Sequence, residues 1–141
     1  MSNRPAVLMT LITGRSRDDV DEALDNELMK CGALLASDEI FARHGAQHPL
    51  GAGFSGSQDL VPHDFDEPTA LSYVSQVPPT LIREVWLNGT PKEVVEQAAQ
   101  WRDCGVRYMV LINSSAFHRS LRKGLAATQP FNKIVRELKR L

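Results

Sequence analysis

An α/β fold built on a parallel sheet is the class this sequence predicts, and three observations carry it. Ala6-Val7-Leu8-Met9-Thr10-Leu11-Ile12 is a continuous apolar run with one threonine. Tyr108-Met109-Val110-Leu111-Ile112 is a second, without alternation. Both read as strands buried on two faces. Gly89-Thr90-Pro91-Lys92-Glu93 opens a helix that delivers the chain into the second run. A helix feeding such a strand is one step of a parallel α/β architecture.

Taken in order, Met1-Ser2-Asn3-Arg4 leads straight into the first strand and lacks the apolar h-region of a secretory signal. Thr13-Gly14-Arg15-Ser16 turns the chain. Ser16 with Asp19 forms a capping box, and Asp18 and Asp19 suit the positive end of a helix. That helix is expected to carry Val20, Leu24, Leu28, Cys31 and Leu35 on one face. Ser37, with Asp38 and Glu39, caps a short helix through Ile40 and Phe41, which Gly45 stops. Residues 45–66 hold Gly45, Pro49, Gly51, Gly53 and Gly56 and exclude a regular element. A loop this long inside a compact domain is functional or disordered. Asp66-Glu67-Pro68 starts a helix reaching Leu71 and Val74, and after Pro78-Pro79 one more short helix holds Leu81, Ile82, Val85 and Trp86.

Thr90 is then the N-cap of the central helix, Pro91 its first residue, and Glu93 reaches back to the cap. Val94, Ala98 and Trp101 fall on one face, and Trp86 and Trp101 read as core or interface. Gly105 suits a left-handed position after the helix, with Val106 folding back. Beyond Asn113-Ser114-Ser115 a helical region interrupted by Gly124 and Pro130 presents Phe131, Ile134, Val135 and Leu138.

The chain has 141 residues, 43% hydrophobic and 23% charged, so one ordinary domain is expected over 1–141. A net charge of −1 argues against a nucleic-acid binder. Cys31 and Cys104 are far apart and form no metal-ligand spacing, which points to a reduced, cytoplasmic protein without zinc. No stretch approaches the length of a membrane span.

Two parallel strands leave two open apolar edges, an aggregation hazard that natural domains avoid. The expectation is that other strands complete the sheet, either from another chain or because this is one end of a larger barrel. The crossover between the strands is far longer than a parallel link requires.

The series Gly89-Thr90-Pro91-x-Glu93-Val94, then Gly105-Val106-x-Tyr108-Met109-Val110-Leu111, resembles the C-terminal signature of the luciferase-like flavin- and deazaflavin (F420)-dependent oxidoreductases. Pro5 to Ile12 with Arg15-Ser16-x-Asp18 is similar to their penultimate strand and its helix start. Arg43-His44-Gly45, His48-Pro49, Gly53-Phe54 and Asp59-Leu60-Val61-Pro62, with Val77-Pro78-Pro79, look most like the mycobacterial phthiodiolone ketoreductase branch. The resemblance implies a partial TIM (β/α)8 barrel: strands seven and eight, a helical insertion after strand seven with residues 45–66 as its glycine-rich loop, and six strands absent.

Barrel sites form at the C-terminal ends of strands. The resemblance therefore makes Gly14, Ser114 and Ser115 cofactor-binding candidates for F420, or FMN in its place. The plainer reading of Ser16 and Ser115 is helix capping. Arg43, His44 and His48 border the substrate cavity in this reading, as a cationic cluster able to bind or polarise a carbonyl oxygen; the alternative is a solvated loop. His44 and His48 lack a third metal ligand. The basic tail, Arg119, Arg122, Lys123, Lys133, Arg136, Lys139 and Arg140, could meet a polyglutamate cofactor tail, or simply complement helix C-termini.

The function implied is hydride transfer between the cofactor and a carbonyl-type small molecule, with this chain inactive alone and completed by an N-terminal barrel segment. The alternative is a non-catalytic interaction module that self-associates, or complements a separate fragment, through its strand edges.

Overall fold

A computed structural model describes residues 6–60 and 62–141. Met1-Ser2-Asn3-Arg4, Pro5 and Val61, which enter the sequence reading, lie outside the described residues. The chain divides into two compact units, Met1–Ala23 with Trp86–Leu141, and Leu24–Val85.

The first unit is built on a parallel sheet of β1 (Ala6–Thr13), β2 (Leu87–Gly89) and β3 (Tyr108–Asn113), in the order β2-β1-β3. Ala6 to Leu11 pair in register with Tyr108 to Asn113, and Leu11 to Thr13 with Leu87 to Gly89. β2 is a third strand that the sequence reading missed, because three residues are too few to show a period. Its place is also unexpected: β3 skips it to pair with β1, whereas strands of a sequential barrel are neighbours in chain order.

Two helices cover one face of this sheet. α6 (Pro91–Asp103) and α8 (Thr128–Leu138) close over Leu11 and Leu87 with Val94 and Ile134, and Met9, Met109, Leu111, Phe131 and Leu138 pack around them. Successive strand side chains point to opposite faces, so Leu8, Tyr108, Val110 and Ile112 lie on the other face. They are 63%, 49%, 56% and 44% exposed. The expectation that β3 is buried on both faces is therefore corrected. The described chain supplies helices for one face only, and β3 alternates between half-buried and exposed residues.

α6 starts and stops as its sequence dictates. The Thr90 N–H donates to Glu93 Oε2 at 2.7 Å. At the other end Gly105 N–H reaches Arg102 O at 2.9 Å and Val106 N–H reaches Trp101 O at 3.1 Å, the bond pair of a Schellman end. Gly105 takes the left-handed φ of 97° this requires. Val94 and Ala98 are buried as expected, but Trp101 is 40% exposed.

α1 (Arg17–Leu24) follows β1, with Ser16 Oγ accepting from the Asp19 N–H at 3.2 Å. The single long helix expected from Val20 to Leu35 is corrected to two, α1 and α2 (Glu27–Ala33). Asn26 accepts from the Leu28 N–H at 2.9 Å and restarts the helix. The restart rotates the pattern: Leu28, Cys31 and Leu35 are exposed while Met29 and Ala33 are buried.

In the second unit α2 is joined by α3 (Asp38–Arg43), α4 (Glu67–Val74) and α5 (Pro79–Val85). Its core includes Met29, Phe41, Phe54, Val74, Leu81 and Ile82. Gly45, at φ 70°, ends α3 with bonds to Ala42 O and, through Ala46 N–H, to Phe41 O. The glycine-rich excursion is ordered by specific bonds rather than by regular structure. Asp38 N–H donates to Phe54 O at 2.9 Å, the Asp38 carboxylate accepts from Gly53 N–H, and Asp59 accepts from Ser55 N–H at 2.8 Å. Asp66 caps α4 by accepting from Thr69 N–H at 2.9 Å.

Candidate functional site

The C-terminal ends of β1 and β3 meet through Ser115. Its Oγ accepts the Thr13 N–H at 2.8 Å, and its own N–H donates to Asn113 Oδ1 at 3.2 Å. Ser115 is 1% exposed, so its hydroxyl holds the strand ends together. It is not a helix cap; that work falls to Ser120, whose Oγ accepts from the Lys123 N–H of α7 (Leu121–Ala126). Ser114 is buried beside it, at the start of a 3₁₀ turn over Ser114–Phe117. Gly14 is buried too, and a Cβ there would stand 2.9 Å from Asp19 Cβ, so glycine lets the first turn of α1 close on the strand end.

Gly14 also lines a groove of about 910 Å³ together with Arg15, Pro91, Gln129, Asn132, Lys133 and Arg136. Arg15, Lys133 and Arg136 give it three cations and no lining carboxylate. Gln129 and Asn132 add amide donors, and Pro91 marks the positive end of α6. The groove suits an anionic group; of Gly14, Ser114 and Ser115 only Gly14 lies on it, joined by Lys133 and Arg136 of the basic tail.

Beside the strand ends lies an ion cluster that the sequence did not disclose. Lys123 bonds the Glu22 carboxylate and sits 3.3 Å from Asp19. Lys123 lowers the Glu22 carboxyl below its usual range, and Glu22 in turn raises the ammonium. His118 is 8% exposed; its Nδ1 accepts from Ser120 N–H at 2.9 Å and its Nε2 stands 3.9 Å from Glu22. The Thr13 hydroxyl and His118 Nε2 are buried without a hydrogen-bond partner.

The substrate-side candidates all fall in the second unit but do not form a cationic cluster. His48 is 2% exposed, stacked on Phe54 at 4.1 Å and set edge-on to Phe41 at 4.4 Å. Its Nδ1 accepts from Leu50 N–H at 3.0 Å and its Nε2 donates to Leu34 O at 3.1 Å. Both nitrogens are committed, and burial lowers its pKa from 6.5, so the ring is neutral and supports the loop. Arg43 and His44 instead converge on Glu84, a residue the sequence reading passed over. Arg43 bonds one carboxylate oxygen, His44 Nε2 the other at 2.6 Å, and His44 Nδ1 meets Thr80 Oγ1 at 2.9 Å. Arg43 first, then His44, lowers the Glu84 carboxyl below its usual range. Thr80 and Glu84 share a face of α5 at i and i+4, the spacing that could have revealed them.

Among the described residues no group of three or more His, Cys, Asp or Glu could hold a metal ion, and no helix is long and apolar enough to cross a membrane.

No protein-family model matches the chain, and no solved structure matches it. Curated relatives do match, over its entire length. It is 64% identical to the phthiodiolone/phenolphthiodiolone dimycocerosates ketoreductase of Mycobacterium sp. (strain JLS). It is 51% identical to the proteins of the same name in Mycobacterium kansasii and Mycobacterium tuberculosis (strain H37Rv). The chain spans 37–38% of the length of these relatives, and they are what it is similar to: ketoreductases by name, at high identity, along every residue of this sequence.

Proposed function

We propose that the chain forms the C-terminal strand-and-helix part of a luciferase-like ketoreductase that uses F420, with FMN as the alternative cofactor. The observation that carries this reading is the match over all 141 residues, at 51–64% identity, to proteins named for ketone reduction. A partial (β/α)8 barrel is the fold that goes with it. β1 and β3 pair side by side and parallel, as strands seven and eight of a barrel do. Under this assignment β2 occupies the edge of β1 that strand six would take.

A reduced deazaflavin or flavin supplies the hydride, and this chain's share is to hold and orient. Arg15, Lys133 and Arg136, with Gln129 and Asn132, fit the anionic tail of such a cofactor beside Gly14. Ser115 ties the strand ends together, with Ser114 buried next to it in the turn. Within the second unit, the Arg43 guanidinium, oriented by Glu84, offers donors to polar groups of a carbonyl compound, while both His44 nitrogens are engaged by Thr80 and Glu84 and His48 stiffens the loop. The second reading, a non-catalytic interaction module, draws on the exposed apolar face of the sheet.

The test compares the isolated chain with a protein in which the N-terminal part of the JLS-strain relative precedes it. The isolated chain is expected to show neither micromolar F420 binding by fluorescence titration nor turnover. The fused protein is expected to oxidise reduced F420 in the presence of a long-chain ketone. Replacing Arg15 and Lys133 together by Ala should weaken its cofactor binding by about tenfold or more, since a charge-assisted hydrogen bond contributes about 1.5–3 kcal/mol. Tight binding and turnover by the isolated chain would refute the reading, as would a fused protein that reduces no ketone with F420 or FMN.

A further inference from the structure

We infer that the cavity between the C-terminal ends of α6 and α8 binds a single-chain amphiphile with an anionic head, a long-chain carboxylate. The cavity is separate from the groove assigned to the cofactor tail, and its role does not depend on ketone reduction. Pro91 of that groove and Arg102 of this cavity lie at opposite ends of α6. The rise of a helix puts them roughly 16 Å apart.

Three elements of one unit build the cavity. α6 ends at Asp103, the chain turns through Gly105 and Arg107 into β3, and α8 ends beside them at Leu138. Val94 and Ile134 fill the space between the two helices nearer their middles. Past that packed centre, Met109, Leu111, Val135 and Leu138 are only half-buried and line a space of about 580 Å³. Small-molecule sites run from about 300 to 1,000 Å³.

The rim is cationic. Arg102, Arg107 and Lys139 line the cavity, and no described Asp or Glu does. Arg102 is engaged by Asp103 at 2.8 Å. Arg107 donates one N–H to the Arg102 carbonyl at 3.1 Å and keeps the rest of its fork for another acceptor. The Lys139 ammonium has no ion-pair partner among the described residues. Helix C-termini attract cations, which accounts for Arg102 and Lys139 standing there but not for the apolar hollow they surround. Apolar walls below a cationic mouth complement a hydrocarbon tail that ends in one negative group. The planar fork of Arg107 suits the two oxygens of a carboxylate, and Lys139 adds a point charge. A cationic amphiphile is repelled by the same rim. A compact anion leaves the walls in water and forgoes roughly 25 cal/mol per Å² of apolar surface.

Calorimetric titration of the full chain with dodecanoate, below its micelle concentration and at neutral pH, tests the site. The expected result is one dodecanoate per chain, bound about tenfold or more weaker by the Arg107→Gln, Lys139→Gln double variant. Both side chains are exposed, and circular dichroism establishes that the variant is folded. Arg119→Gln with Arg122→Gln removes two exposed cations near the exposed Leu121 and Leu125, and should bind as the parent does. Dodecanol and dodecyltrimethylammonium should each bind the parent about tenfold or more weaker than dodecanoate. Equal dodecanoate binding by the parent and the Arg107→Gln, Lys139→Gln variant overturns the inference, as does equal binding of dodecanol and dodecanoate. Loss of binding when the chain is fused after the N-terminal part of the JLS-strain relative also overturns it, and marks that polypeptide as the occupant. Turnover of the fused protein is read separately, so failure of either proposal leaves the other standing.

Discussion

The Thr13 backbone N–H donates to Ser115 Oγ across 2.8 Å, joining two buried residues 102 positions apart. The bond ties the end of β1 to the turn that follows β3. Ser115→Ala leaves a buried amide without an acceptor, a loss of about 1–3 kcal/mol. The urea midpoint should fall accordingly, while Ser16→Ala, which removes an exposed cap, should lower stability by about 1 kcal/mol.

His48 makes stability depend on pH near neutrality. Burial holds its folded pKa below the ordinary 6.5, so the unfolded chain takes up the proton first as pH falls. The stabilisation is complete above pH 6.5 and is lost progressively as pH falls through the lower folded value. Thr90 and Arg43, foremost, hold Glu93 and Glu84 below 4.5, so their contributions fade only below that pH. Denaturation midpoints measured between pH 6.5 and 4.5 should therefore drop less steeply in His48→Gln than in the parent.

Gly89 and Gly105 flank the same helix and should respond differently to alanine. At Gly89, φ is 135° and a Cβ would stand 2.5 Å from Glu93 Oε2 and 2.8 Å from its Cβ, inside the capping box. At Gly105, φ is 97° and nothing lies within 4 Å. Gly105→Ala meets backbone strain alone, about 1–2 kcal/mol. Gly89→Ala adds the damaged cap, for about 2–4 kcal/mol in all. Equilibrium unfolding of the two variants decides between one mechanism and two.

Glu84 ties the end of α3 to α5. Glu84→Gln keeps the shape and removes the charge that Arg43 and His44 share. Glu84 is 40% exposed, so solvent screens the pair and the loss should stay within about 1 kcal/mol. It should also shrink in high salt, as thermal melting at two ionic strengths would show.

The local signals that survive into the structure are those fixed by a few adjacent residues. Thr90-Pro91-x-Glu93, Gly105-Val106, Asp66-Glu67-Pro68 and Gly45 each specify a helix end through bonds within one turn, and each forms as read. What failed depended on tertiary context. Asn26 broke a helix whose apolar spacing ran through it, because one side-chain oxygen meeting the Leu28 N–H outweighs a pattern. β2 carries no period of its own and exists because Leu11 to Thr13 lie alongside it. The fate of His48 was set by Phe41, Phe54 and Leu34, none adjacent to it in sequence. Lys133 and Arg136 were read as a tail, and only the packing of α8 puts them beside Arg15.

The strand order also sets a timetable. Ala6 faces Tyr108, so β1 pairs along its length with a strand made much later in the chain. Synthesis runs at about 5–20 residues per second, and roughly a hundred residues separate the two. For about 5–20 s, then, β1 has been made and β3 has not. The second unit, Leu24–Val85, is complete within that interval and draws its contacts from nearby sequence. Its folding should come first, and the sheet should be the slow, aggregation-exposed step.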